Sequence, residues 1–322
     1  MKISVVMSYY RRIRELESTL NSIRKTSHKD FEVIIVDDGT GDGEHSPVHI
    51  PQKFEDLNIT LLRVNPEDKW WVNPCVPFNV GFHHASGDVV LIQSPESYHN
   101  GDVLSHVAEN LKENEYYSYG CYSLDPNITN ILINGTEEQK KAIENLDGLP
   151  THGPSTQFIV CNADVKEAAA GRDIESLDRV PQVMPGENGW YNHSTHRATY
   201  YHFMSAIYNS HLKEMGGFDE RYAHGLCWDD NEFVYRIRNK ELEVKIVDDP
   251  FCFHQYHYGY SNNIEECKAH ASAGRRLEHT NNRTLYDTMT VPEKGVEVNC
   301  GNKKRTEWFK NEPWHKELFE EQ

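Results

Sequence analysis

The chain predicts an α/β fold built on a mostly parallel sheet flanked by helices. Short apolar runs alternate with helically spaced segments through the first hundred residues, and three of those runs end in polar or acidic residues. An apolar content of 38% in 322 residues is also enough to bury a large core.

Residues 3–7 read as a buried strand, and 14–25 as a helix with Leu16, Leu20 and Ile23 on one face. Residues 31–36 and 59–64 form the second and third strands, 77–85 a short helix, 88–92 a fourth strand and 103–113 a helix. In such sheets ligands bind outside the carboxyl ends of the strands. Ser8, Asp37-Asp38 and Ser94-Pro95-Glu96 all fall at such ends, so they are expected on one edge.

From 125 to 200 the sequence is rich in Asn, Gly, Pro and Thr and reads as irregular, with short elements near 137–146 and 157–161. Loops of this length in a compact domain usually form lids or binding walls. The aromatic clusters at 189–191 and 198–203 suit either sugar stacking or a core corner. Regular structure is expected again at 209–215, in a helix at 230–240, and in strands at 243–247 and 251–254. The charged tail, with helical pieces near 264–276 and 306–320, reads as an accessory helix pair, a dimer contact or a partner tether.

A net charge of −17 argues against nucleic acid or an anionic membrane as the main partner. An anionic ligand would then need local cations or a bound metal. No apolar run reaches membrane-spanning length and no signal-peptide pattern opens the chain, so the expected location is the cytoplasm, a host's included. The seven scattered cysteines form no Cys-x-x-Cys pair. Sequons at Asn58, Asn127, Asn134, Asn192 and Asn282 carry no weight without a secretory signal.

The chemistry concentrates in Gly216-Gly217-Phe218-Asp219-Glu220, followed by Trp228-Asp229-Asp230-Asn231-Glu232-Phe233. Clustered acids repel one another unless solvated or paired. A catalytic carboxylate at a helix start, kept ionised by the helix dipole, accounts for the pattern; an ordinary acidic helix N-terminus is the alternative. In Asp37-Asp38-Gly39-Thr40 an acid can accept from a uracil N3–H or a ribose hydroxyl, or the four residues form a solvated turn. Gly39, Gly41 and Gly43 do not spell a dinucleotide fingerprint. Asn79 opens a helix, where it would bind ligand or tie two loops together.

From Ile3 to about His257 these segments resemble the inverting glycosyltransferases of family 2, which have the GT-A fold. The residues carrying the likeness are Val5 to Arg11, Val36-Asp37-Asp38-Gly39-Thr40, the stretch from Asn79 to Asp88, and Gly216 to Phe233, in that order. The resemblance implies a GT-A domain over 1–260, with a nucleotide-sugar half (1–115), an acceptor half (116–260) and a helical extension from 261 to 322. It implies a nucleotide pocket of Ser8, Asp37, Asp38, Asn79 and Ser94. Asp230 would be the base that deprotonates an acceptor hydroxyl, and Asp229 would orient the acceptor or the base. The donor would be a UDP-sugar, and the acceptor a glycan, a protein or a small molecule.

The chain departs from the family in one place. Ser94-Pro95-Glu96 stands where Asp-x-Asp is usual, leaving Glu96 as the sole carboxylate. The resemblance places Glu96 and His254 as ligands of Mn²⁺ or Mg²⁺, with a structural histidine as the alternative for His254. On a strand His254 and His257 point to opposite faces, so one of them at most should reach the site. A retaining transferase related to polypeptide N-acetylgalactosaminyltransferases, and a binding protein that has lost catalysis, are the competing readings.

Overall fold

The computed structural model describes residues 1–149, 189–257, 281–288 and 298–299. The elements expected at 157–161, 264–276 and 306–320 lie outside those residues.

The first half alternates as expected: β1 (Ile3–Tyr9), α1 (Ile13–Ile23), β2 (Phe31–Asp37), the short α2 (Ile50–Lys53), β3 (Ile59–Arg63), α3 (Cys75–His84) and β4 (Val89–Gln93). Next come β5 (Ser97–Asn100), α4 (Val103–Asn110), β6 (Glu115–Ser123), α5 (Pro126–Asn134) and α6 (Glu137–Glu144). The remaining described residues form β7 (Trp190–Asn192), β8 (Met204–Tyr208), α7 (Asn209–Met215), α8 (Asp229–Asn239), β9 (Glu243–His254) and a helix, α9, at 281–288.

The strands form one sheet in the order β3-β2-β1-β4-β8-β6-β9-β5, with β7 on β6. Pairing is parallel from β3 to β4, where crossovers return each strand in the same direction. Beyond β4 the sheet is mixed: β8 runs antiparallel to both β4 and β6, while β6 and β9 are parallel. Strand alternation divides the core into two layers. Val5, Met7, Val89 and Leu91 pack with α1 and α4 on one face. Val6, Val90 and Ile92 pack with α3, α7 and α8 on the other. Helices cover both faces, so the central strands read as continuous apolar runs. α3 lies close on β1 at Gly81, where a Cβ would collide with the Val6 side chain.

Three stretches differ from expectation. β6 (Glu-Tyr-Tyr-Ser-Tyr-Gly-Cys-Tyr-Ser) looks polar yet is buried throughout. Its tyrosines bury their rings while their hydroxyls find partners, as Tyr117 does on the Asn110 carbonyl at 2.9 Å. The stretch read as irregular after 125 opens with α5, capped by Asp125 with Pro126 in the first turn; the element expected near 137–146 is α6, which begins in a full capping box of Thr136 and Gln139. The two strands expected at 243–247 and 251–254 are one strand, whose pairing with β6 is interrupted opposite Gly120. Pro250, which has no N–H to donate, falls in that interruption.

Candidate active site

The carboxyl ends of β1, β2 and β4 open onto a cavity of about 520 Å³. Ser8, Asp38, Ser94 and Glu96 line it from the first half, and His202, Phe203, His254 and His257 from the second. The edge predicted from strand ends is therefore where these residues meet.

The acidic turn is internally satisfied. Asp37 is fully buried; it accepts from the Thr40 N–H at 3.0 Å and from Arg63 Nε at 3.2 Å. Asp38 borders the cavity, with one oxygen taking Trp71 Nε1 at 2.7 Å and the other Lys69 Nζ at 2.6 Å. Burial pushes the Asp38 carboxyl up to about 6 against the pull of Lys69 and Trp71. Asn79 performs the second of the two roles open to it. Its amide spans Phe218 N and O, each at 2.8 Å, and donates to Glu220 at 2.9 Å, tying α3 to the Gly-Gly turn. A Cβ at Gly217 would strike that amide.

Glu96 sits at the turn between β4 and β5 and is 4% exposed. Its Oε1 lies 2.7 Å from Arg12 Nη1, 3.6 Å from His254 Nε2 and 3.4 Å from His257 Nε2. The expectation that one of these histidines at most would reach the site is therefore corrected. β9 ends at His254. The next residue, Gln255, donates its backbone N–H and its side-chain amide to the Glu96 carbonyl at 3.0 and 3.1 Å. Strand alternation does not extend past that anchor, so His257 returns to the same carboxylate. Burial alone would raise the Glu96 pKa; Arg12 and the two histidines outweigh it and hold the carboxyl well below the usual range. Burial, assisted by Arg12, lowers His257 to about 4, leaving a neutral imidazole at neutral pH.

A divalent cation fits this cluster. Ligand atoms of Glu96, His254 and His257 lie within 4.8 Å of one another. Glu96 Oε2 is buried with no hydrogen-bond partner, so one carboxylate oxygen is available.

The acids of the 219–232 region sort by partner. Asp219 is held by Arg221, and Glu232 by Arg236 inside the core. Asp229, 3% exposed, accepts from Asn73 Nδ2 at 2.9 Å. Asp230 keeps 24% of its side chain exposed and pairs with His202 Nδ1. Burial, then the adjacent Asp230 charge, raises Asp229 to about 6. Burial opposes charge on His202, yet Asp230 raises its pKa, and His202 in turn pulls the Asp229 carboxyl down against burial. His202 was not legible in the sequence; it precedes β8 in an aromatic run whose geometry depends on the sheet. Of the aromatics around it, Trp190 and Tyr191 are buried as a core corner, while Tyr191 and Phe203 also border the cavity. His193 packs on the Trp190 ring at 4.6 Å.

Among the described residues no helix is long and apolar enough to cross a membrane. Residues 4–161 match the family model "Glycosyl transferase family 2". An uncharacterized glycosyltransferase of Bacillus subtilis, YfnE, is 24% identical over 84% of this chain and 68% of its own length. A second, alr2836 of Nostoc sp., is 29% identical over 34% of this chain, a match spanning about a third (32%) of that protein. Looser likeness extends to S. aureus TarS 1-349 in complex with UDP-GlcNAc, at 17% identity and a TM-score of 0.49 over 80% of this chain and 60% of that one. It extends also to the mannosyltransferase PcManGT of Pyrobaculum calidifontis, at 16% identity and 0.47 over 98% and 72%. The family match covers just under half of the chain, and over that stretch this chain is similar to glycosyl transferase family 2.

Proposed function

We propose that the chain transfers a hexose from a UDP-sugar to an acceptor hydroxyl by a single displacement with inversion. The observation that carries this reading is the division of the cavity's surroundings. Ser8, Asp38 and Glu96 lie on the donor side, and His202 joins the same cavity to the half-open Asp230. Residues 1–115 supply the donor wall; 116–260 add the base and the two histidines.

In this mechanism Asp230 accepts the proton of the acceptor hydroxyl as its oxygen attacks the anomeric carbon. The bond to the β-phosphate oxygen breaks on the opposite face, and its electron pair leaves with UDP. Inversion follows because one displacement occurs. Asp229, buried and held by Asn73, orients the start of α8. Glu96 with His254, and His257 beside them, would hold Mn²⁺ or Mg²⁺, which supplies positive charge to the departing diphosphate. The chain's own cations at the cavity, Arg12 and Lys69, act on the same charge.

Calorimetric titration of UDP with Mn²⁺, and again with EDTA, tests the reading, with GDP as control. UDP binding that requires Mn²⁺ and exceeds GDP binding is the expected result. The Arg12–Glu96 ion pair favours one variant of the proposal, in which protein cations alone assist departure. Binding indifferent to EDTA would select it. Absence of binding by either nucleotide would sink the transferase reading.

A further inference from the structure

The catalytic turn between α7 and α8 carries little regular structure of its own. It holds one 3-10 turn (Glu220–His224) and positive φ at Gly216, Gly217, Cys227 and Trp228. Left-handed backbone at non-glycine residues persists only where surrounding contacts over-determine it. Asn79 and Arg236 hold part of this turn, and further contacts come from residues 282–299.

Asn282 in α9 is 3% exposed and donates its amide to the carbonyls of Tyr222, at 3.0 Å, and Cys227, at 2.9 Å. The Trp228 ring lies against Tyr286, at 5.2 Å between centroids, with the Arg283 guanidinium 5.6 Å from its face. At the other end of the turn, Asn299 donates to the carbonyls of Gly216 and Phe218, both at 2.7 Å, and accepts from the Glu220 N–H at 3.2 Å. Val298 is buried and donates its N–H to the Met215 carbonyl; a Cβ at Gly216 would collide with the Val298 carbonyl. Val298 and Asn299 thus lie directly against Gly216.

We infer that the segment carrying Asn282, Tyr286 and Asn299 is a clamp that positions the catalytic base: it fixes Cys227 and Trp228, the two residues preceding Asp229-Asp230. These are positioning residues, acting through backbone carbonyls and one indole ring. The inference rests on the assignment of Asp230 as base. It gives Asn282, Tyr286 and Asn299, within the C-terminal extension, a role beside the catalytic base. It also accounts for the Asn282 sequon, whose amide is buried and engaged.

Two variants of the full chain test it. Asn282→Asp replaces the donating amide by a carboxylate facing two carbonyls, and Tyr286→Ala removes the ring from Trp228. The expected result is a fall in kcat of about tenfold, since displacement of a reacting group by a fraction of an ångström is enough for such a loss. Donor KM and UDP affinity should stay at wild-type values, with faster amide exchange confined to 216–230. Unchanged kcat and exchange in both variants would overturn the inference. So would a parallel loss of kcat and UDP affinity with exchange rising throughout the chain, the sign of general destabilisation. A wild-type protein that transfers no sugar would sink the function reading instead. The exchange comparison would then decide the clamp by itself, local loosening supporting it and its absence overturning it.

Discussion

Two buried carboxylate clusters flank the cavity, and they are perturbed in opposite directions. Glu96 is surrounded by Arg12, His254 and His257 and is held well below the ordinary carboxylate range. Asp229 is equally buried but faces a second aspartate, and it rises to about 6. Burial is common to both, so the neighbours decide. A carboxylate kept charged beside neutral imidazole suits a cation. Asp229, whose charge is costly, stands beside Asp230, the base of the proposed mechanism.

The comparison breaks most sharply at Asp230. Asp230→Asn should lower sugar transfer by about 10³-fold while UDP affinity, read by calorimetry, stays unchanged. Transfer at wild-type rate would remove Asp230 from the mechanism. Glu96→Gln should cost about 10²-fold in transfer and abolish any Mn²⁺ dependence of UDP binding. It should also destabilise the fold by about 3 kcal/mol in denaturant titration, because Arg12 loses a buried partner.

Asp229→Asn should lower transfer by about tenfold yet raise stability by about 1–2 kcal/mol, since its ionisation opposes folding. The linkage signs differ accordingly. Glu96, with a depressed folded pKa, stabilises the protein above its unfolded pKa, and that contribution is lost as pH falls through the folded value. Asp229, raised from 3.8 to about 6, weakens the fold as pH rises between those values. The rate should therefore fall below about pH 6 as Asp229, beside the proposed base, takes up its proton, and Glu96→Gln should leave that acid limb in place. An acid limb that moves with Glu96 would reverse the two roles. The smallest effect is expected from Asn73→Ala. Loss of the hydrogen bond to Asp229 should move the acid limb upward by less than about one pH unit and lower kcat by about twofold to threefold.

Strand ends bearing Ser8, Asp37-Asp38 and Ser94 to Glu96, together with the helix opening at Asp229-Asp230, were legible because local pattern specifies them. Strand alternation, turn residues and acids at a helix start all act within a few residues. β6 was not legible, because tyrosine and serine read as polar until a sheet and α4 satisfy their hydroxyls. His257 was misplaced because a hydrogen bond from Gln255 to Glu96, 159 residues away, ends the strand geometry. His202 drew attention only as part of an aromatic run.

The sequence by itself determined the parallel first half, the edge at which the cavity-lining residues gather, and the likeness to glycosyl transferase family 2. Tertiary structure alone decided which acids are bound in ion pairs and which keep an unshared oxygen. It decided as well which histidines meet Glu96, and that Asn282 and Asn299 donate to backbone carbonyls of the 216–227 turn. The physical reason is range. Propensity and periodicity act between neighbours in the chain, whereas charge, burial and hydrogen-bond satisfaction act between neighbours in space.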